Sequence, residues 1–261
     1  MKHATQFGKE KQVNQKLIQH EIKDAIRLNK YISSSGYCSR READKLIEQG
    51  LVKIDGITAT MGSKVQNSQK VTVNGTIIQP TSKLVYIALH KPKGITCTTD
   101  KKDATNIVDY MNYETPIFPI GRLDKDTTGL ILLTNDGDIV NKILRSEHAH
   151  EKEYIVQVNR KIKKDFLDKM ASGVTIYNAV TNAHQTTKPA KVKQLSTHIF
   201  SLIISEGMNR QIRRMCTALG YHVDALQRIR IMNIKIANLP EGMWRYLSED
   251  ELNIMNQQLQ K

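Results

Sequence analysis

From Ile26 onward apolar residues recur at helical spacing. In IRLNKYISSSG, Leu28 and Ile32 share one face and Gly36 closes the run, which predicts a short helix. SRREADKLIEQG follows. Ser39 and Glu42 form an S-x-x-E capping box, Ala43, Leu46 and Ile47 give the i, i+3, i+4 stripe, and Gly50 ends the helix. The period then drops to two. VKIDGIT and VTVNGTI are alternating β-branched runs around Asp-Gly and Asn-Gly, and each predicts a tight hairpin. Two helices followed by short strands predict a small α+β module over residues 24–82. Upstream, residues 1–23 are polar and lysine-rich without a periodic apolar face, and a flexible basic tail is expected there.

Pro80, Thr81 and Ser82 read as a linker into a second domain over residues 85–250. LVYIAL, PIFPIGRLD, GLILLT, EYIVQV, HIFSLIIS and IRIMNIKIA predict strands. DIVNKILRS, FLDKMASG and NRQIRRMCTALG predict helices or turn-plus-helix segments. Strands dominate and no βαβ repeat is visible. The expected fold class is therefore α+β: a small α+β domain, then a domain built on a mixed, mainly antiparallel sheet flanked by helices. Residues 251–261 are expected to be a C-terminal helix or tail.

Charge narrows the function. The 261 residues carry a formal net charge of +13 and a pI near 9.6. Residues 1–80 hold 13 Lys+Arg against 7 Asp+Glu, a net of +6, and the remainder holds 26 against 19, a net of +7, so both parts are suited to a polyanion. RNA or DNA is the first expectation and an anionic membrane the second. No run of about 18 apolar residues predicts a transmembrane helix, and MKHATQFGKEKQVNQK lacks the apolar core of a secretory signal. Cys38, Cys97 and Cys216 form no CxxC pair and no zinc spacing, and are expected to be reduced cytoplasmic thiols. Arg40 and Arg41 occupy the first positions of the capped helix, whose free N–H groups already favour anions, with Lys30 and Lys45 nearby. That pattern fits a phosphate-binding surface, or a solvated basic helix end.

In this basic chain GRLDKDTTGLILLTNDG, residues 121–137, carries three acids. Asp136 and Asp138 read as turn and helix-start residues. Asp124 and Asp126 could be turn residues, a D-x-D pair for a divalent cation, or a nucleophile and its neighbour. Arg122 and Lys125 flank them and work against a cation. A nucleophilic carboxylate must stay ionised, and the chain has arginines to hold it so. Spacing alone does not choose between these readings.

Two resemblances do. RLNKYISSSGYCSRREADKLIEQGLVKIDG resembles the small RNA-binding domain first described in ribosomal protein S-four, over roughly residues 26–80, and implies binding of structured RNA by its basic helix face. GRLDKDTTGLILLTNDG resembles the signature of pseudouridine synthases of the RsuA-type branch. LHKPKGITCTT (89–99), HEKEYIVQV (150–158) and EGMNRQIRRMCTALGY (206–221) match that family's other motifs in order, so the resemblance runs from about Ile26 to about Ser248. One departure is His90, where the family usually carries Asn. HEKEY, NRQIRRMC and RIRIMN are most similar to members acting on large-subunit ribosomal RNA. The resemblance implies the pseudouridine synthase fold. It implies isomerisation of a flipped-out uridine in large-subunit rRNA, in the cytoplasm, by a monomer, with neither cofactor nor metal, since the product keeps every atom of the substrate. It assigns Asp124 as nucleophile, Tyr154 as the residue stacking on the uracil, and Arg213 as the cation paired with Asp124, with Arg214 as its rival. It leaves Arg122, Arg210 and Arg214 to contact RNA, beside Lys30, Arg40, Arg41 and Lys45 of the small module.

Overall fold

The structure, a computed structural model, describes residues 3–8, 25–66, 68–80, 84–144, 150–178 and 181–260. Most of the tail expected over residues 1–23, linker residues Thr81 and Ser82, and the end of DIVNKILRS lie outside the described residues. No helix among them is long and apolar enough to cross a membrane.

The chain enters as a two-residue strand, β1 (Thr5–Gln6), then builds the small module. Its elements are β2 (Ala25–Arg27), α1 (Leu28–Ser34), α2 (Arg40–Glu48), β3 (Val52–Ile54), β4 (Ile57–Thr58), β5 (Lys64–Gln66), β6 (Val71–Val73) and β7 (Thr76–Ile78). The capping box forms as the sequence predicts. Ser39 accepts the Glu42 N–H, and the Glu42 carboxylate accepts the Ser39 N–H. Both hairpins form too, because Asp55-Gly56 and Asn74-Gly75 have the positive φ at both positions that such tight turns need. Leu28, Ile32, Ala43 and Ile47 pack against Val52, Val71 and Val73 to make the module's own core.

The larger domain continues with β8 (Tyr86–Lys91), α3 (Ile107–Met111), β9 (Phe118–Ile120), β10 (Thr128–Thr134), α4 (Gly137–Leu144), β11 (Lys152–Val158) and α5 (Lys164–Ser172). It ends with β12 (Thr175–Asn178), β13 (Ala183–Thr186), β14 (Lys191–Gln194), β15 (Ile199–Ile204), α6 (Gln211–Ala218), β16 (Val223–Ile231), β17 (Ile234–Lys235), β18 (Met243–Tyr246) and α7 (Glu249–Leu259). The main sheet runs β1-β18-β8-β10-β16-β11-β15-β14. Only β1–β18 and β10–β16 pair in parallel, so it is mixed and mainly antiparallel, as expected. Both faces are buried. β8 shows this: Ile87 and Leu89 enter one core, Tyr86 and Ala88 the other.

Two expectations change. IRIMNIKIA is not one strand: Met232 turns at φ 51°, and β16 folds back onto β17 as a hairpin. At the N-terminus, residues 3–8 are not tail-like. Thr5 and Gln6 pair with Met243 and Trp244, and the Phe7 N–H donates to Trp244 O at 2.7 Å. At the other end, residues 251–259 belong to α7, which buries Leu252 and Met255.

Candidate active site

The acidic stretch straddles the start of β10. Before the strand, Asp124–Thr127 forms a turn closed by the Thr127 N–H donating to Asp124 O at 3.1 Å. The turn is pinned from below. The Gly94 N–H donates to Lys125 O at 2.9 Å, and the Leu123 N–H to Cys97 Sγ at 3.4 Å. Beneath it lies a row of residues in register across four adjacent strands: Lys91, Gly129, Arg228 and Tyr154. Gly129 is required there. At φ 108° it lies against the backbone of Arg228, and a β-carbon would run into that residue's amide nitrogen and carbonyl.

Lys91 has no solvent exposure. Its Nζ donates to Pro92 O at 2.9 Å and Ile95 O at 3.0 Å, carbonyls that stand in for water. Burial pushes its pKa below the ordinary lysine range, while Cys97, Asp126 and Asp124 pull it back. In the sequence Lys91 stands only as part of the LHKPKGITCTT segment, with nothing in that segment marking it as buried. The missed signal was the period-two pattern of YIALHK, which puts Lys91 on the inner side with Ile87 and Leu89. His90, on the other side, is also buried. It meets Leu239 O at 2.8 Å through Nδ1 and the Gln227 amide at 3.0 Å through Nε2, so it fills its turn with two bonds of its own.

Asp124 is a quarter exposed, at 26%, and among the described residues its carboxylate accepts no hydrogen bond. Its nearest cation is Arg210, with Nη1 3.8 Å from Oδ2. This corrects the expected pairing. Arg213 instead places Nη2 3.2 Å from Asp126 Oδ2 and donates from the same nitrogen to Asp126 O at 3.3 Å. Asp126 stands between Arg213 and Asp124 and takes the charge; Arg210 reaches both acids, at 3.3 Å on Asp126. Arg214, the rival, points away on α6 and donates to Tyr177 O and Asn209 Oδ1. Burial raises the Asp126 pKa, but Arg213 and Arg210 outweigh it and hold the carboxyl below its usual range.

Arg210 is itself held in an uncommon state. It precedes α6 with φ 50°, a left-handed conformation that a non-glycine residue adopts at a cost of about 1 kcal/mol. Three buried polar atoms around the row, Thr127 Oγ1, Arg213 Nε and Arg228 Nη2, have no partner among the described residues. Buried polar groups normally find partners, so a cluster of exceptions suits a site that meets a polar ligand.

Tyr154 is buried, on β11 between Leu202 and Arg228. Arg122 is exposed beside the turn, and Arg40, Arg41 and Lys45 are exposed on α2. Among the small module's expected RNA contacts, Lys30 is the exception. Both oxygens of Asp138, in the first turn of α4, accept its ammonium at 2.6 Å, so it joins the two domains instead of standing free. Arg40 covers the same helix start, its guanidinium lying over Gly137.

The family described as RNA pseudouridylate synthase matches residues 85–218, and the S4 domain matches residues 26–68. The chain is 51% identical over 230 residues to the dual-specificity RNA pseudouridine synthase RluF of Escherichia coli strain K12, covering 87% of this chain and 77% of that protein. It is 38% identical to the ribosomal large subunit pseudouridine synthase B of Bacillus subtilis, covering 87% and 93%. A crystal structure of a pseudouridylate synthase superposes with a TM-score of 0.63 at 30% identity, covering 88% of this chain and 99% of that one. The chain belongs to the RNA pseudouridine synthase family, with an S4 domain ahead of its catalytic domain, and is an RNA pseudouridine synthase.

Proposed function

We propose that the substrate is a uridine in large-subunit (23S) ribosomal RNA and that Asp124 is the nucleophile. The observation that carries this reading is the state of the Asp124 carboxylate. It is open to a ligand, accepts no hydrogen bond from the described residues, and lies 3.8 Å from the Arg210 guanidinium. Two relatives whose names specify RNA pseudouridine synthesis, one of them on the ribosomal large subunit, support the substrate class.

The reaction breaks the bond between C1′ and N1 of uridine and forms one between C1′ and C5. C5 loses a proton and N1 gains one, so the formula is unchanged and no cofactor is needed. The target base must leave its stack, at a cost of a few kcal/mol that is least in loops and bulges. Asp124 attacks the extruded nucleotide, and the Tyr154 ring takes one face of the uracil. Arg210 sets a cation beside the Asp124 carboxylate, and Arg213 fixes Asp126 so that the turn holds its shape. Arg122 and the exposed α2 cations Arg40, Arg41 and Lys45 bind phosphates on either side.

Tritium release from RNA labelled at C5 of uridine tests this directly. The purified protein in EDTA is given large-subunit rRNA, small-subunit rRNA and tRNA separately. Release from large-subunit rRNA, lost in Asp124→Asn, is expected. Release that persists in Asp124→Asn, or that vanishes in EDTA, overturns the mechanism, and release only from tRNA overturns the substrate.

A further inference from the structure

The β12–β13 hairpin and α6 enclose a cleft of about 840 Å³ whose wall includes Asp126 and Arg210, so it is continuous with the Asp124 turn. Tyr177 and His184 also line it. They are cross-strand partners on the hairpin, with ring centroids 5.6 Å apart and planes at 65°. An edge-on meeting covers at most one face of either ring. Tyr177 is 45% exposed, while its neighbour Ile176 is 3% exposed and enters the core. The aromatic pair therefore faces the cleft, not the interior.

Tyr177 is held at its hydroxyl and at its main-chain carbonyl. Its hydroxyl donates to Asn182 Oδ1 across the hairpin, and its carbonyl accepts from Arg214 Nη1 at 2.8 Å. Arg214 extends from α6, the helix that also brings Arg213 to Asp126. One rigid unit thus carries both the aromatic pair and the cations of the acidic turn. A cross-strand pair can serve hairpin stability alone. That role does not account for its position in a cleft where Arg210, Arg213, Arg214 and Lys93 outnumber Asp126 and Asp224. Exposed aromatic faces among cations are the chemistry that holds single-stranded nucleic acid, bases stacking on rings and phosphates meeting charge.

We propose that Tyr177 and His184 form a stacking subsite for an unpaired nucleobase of the substrate RNA, next to the uridine that reaches Asp124. The inference rests on the proposed function and adds a contact that reads neighbouring sequence context. Tyr177 and His184 would act in binding, not in the chemical step.

The test uses the full chain carrying Asp124→Asn, so binding is read without turnover. The probes are short oligouridylates, each with one 2-aminopurine at a different position. Binding should change the 2-aminopurine emission at one or two positions. Adding Tyr177→Leu should abolish that change and weaken affinity about tenfold, while Tyr177→Phe should preserve both. His184→Ala should reduce the emission change in the same positions. In the active protein, Tyr177→Leu should raise KM and leave the single-turnover rate at saturation unchanged. Unaltered emission and affinity in Tyr177→Leu, with the hairpin folded by circular dichroism, would overturn the subsite. Absence of tritium release by the wild type from every RNA would instead overturn the functional reading, and the emission data would still decide the subsite.

Discussion

Two acidic turns flank β10, and they treat their carboxylates in opposite ways. After the strand, Asp136 is 4% exposed; it accepts the Tyr86 hydroxyl at 2.6 Å and the Asp138 N–H at 3.0 Å. Burial, and after it the Asp136 charge, drives the Tyr86 hydroxyl's pKa upward. Before the strand, Asp124 is open, accepts no bond from the described residues and has an arginine at 3.8 Å. Asp136 has its lone pairs filled by its own fold and serves as a fastener. The Asp124 carboxylate has no lone pair taken by a hydrogen bond from the described residues and stays open.

The sharpest break in that contrast is to neutralise each acid. Asp124→Asn should slow isomerisation at least about a thousandfold, roughly 4 kcal/mol of transition-state stabilisation, with the urea midpoint unchanged. Gly129→Ala attacks the strand between the turns. Its β-carbon has nowhere to go against the Arg228 backbone, and unfolding free energy should drop by more than about 3 kcal/mol in denaturant melts. Asp136→Ala should do the reverse of the first change, costing about 1–3 kcal/mol of stability through an unsatisfied Tyr86 hydroxyl, while turnover per folded molecule is retained.

Arg210→Gly sharpens the comparison further. It relieves the left-handed backbone and removes the cation beside Asp124. Stability should hold or rise slightly while kcat/KM falls about tenfold, or roughly 1.4 kcal/mol. A loss of stability without loss of activity would make Arg210 a structural residue. The smallest effect concerns Asp126. Its folded pKa is lowered, so its contribution to stability is complete above the ordinary carboxylate range and disappears as pH falls through the lowered value. The carboxyl is about half exposed, at 48%, so the effect is modest and salt-screened. Urea melts of wild type and Asp126→Asn should differ near neutral pH and converge in acid.

What the sequence carried was local. The capping box, the Asp-Gly and Asn-Gly hairpins and the helical stripe of α2 each depend on residues within a few positions of one another. The four motifs also mark the segments that converge. The failures are tertiary. Whether Arg210 or Arg213 faces Asp124 depends on how the start of α6 approaches a turn 84 or more residues earlier, which no local pattern fixes. Met232 turns at a positive φ that its residue type does not advertise. Lys91 was visible as a charge but not as a buried one, because LVYIAL stops short of it. The strand at Thr5–Gln6 has no periodicity to detect over two residues; only the β18 edge explains it.

That short strand changes the topology of the whole chain. Because β1 joins the large sheet before the small module begins, the module is spliced into the catalytic domain, with one covalent link entering it and a second leaving. A protease nick in either link leaves the two bodies on one noncovalent scaffold, joined by the other link and by the Lys30–Asp138 bridge. Cutting the first link would leave an N-terminal peptide held by its strand pairing with β18 and by bonds such as the Ala4 N–H to Tyr110 O at 2.9 Å. Release of the S4 body requires two cuts, which makes this an enzyme whose small module is hard to shed by proteolysis.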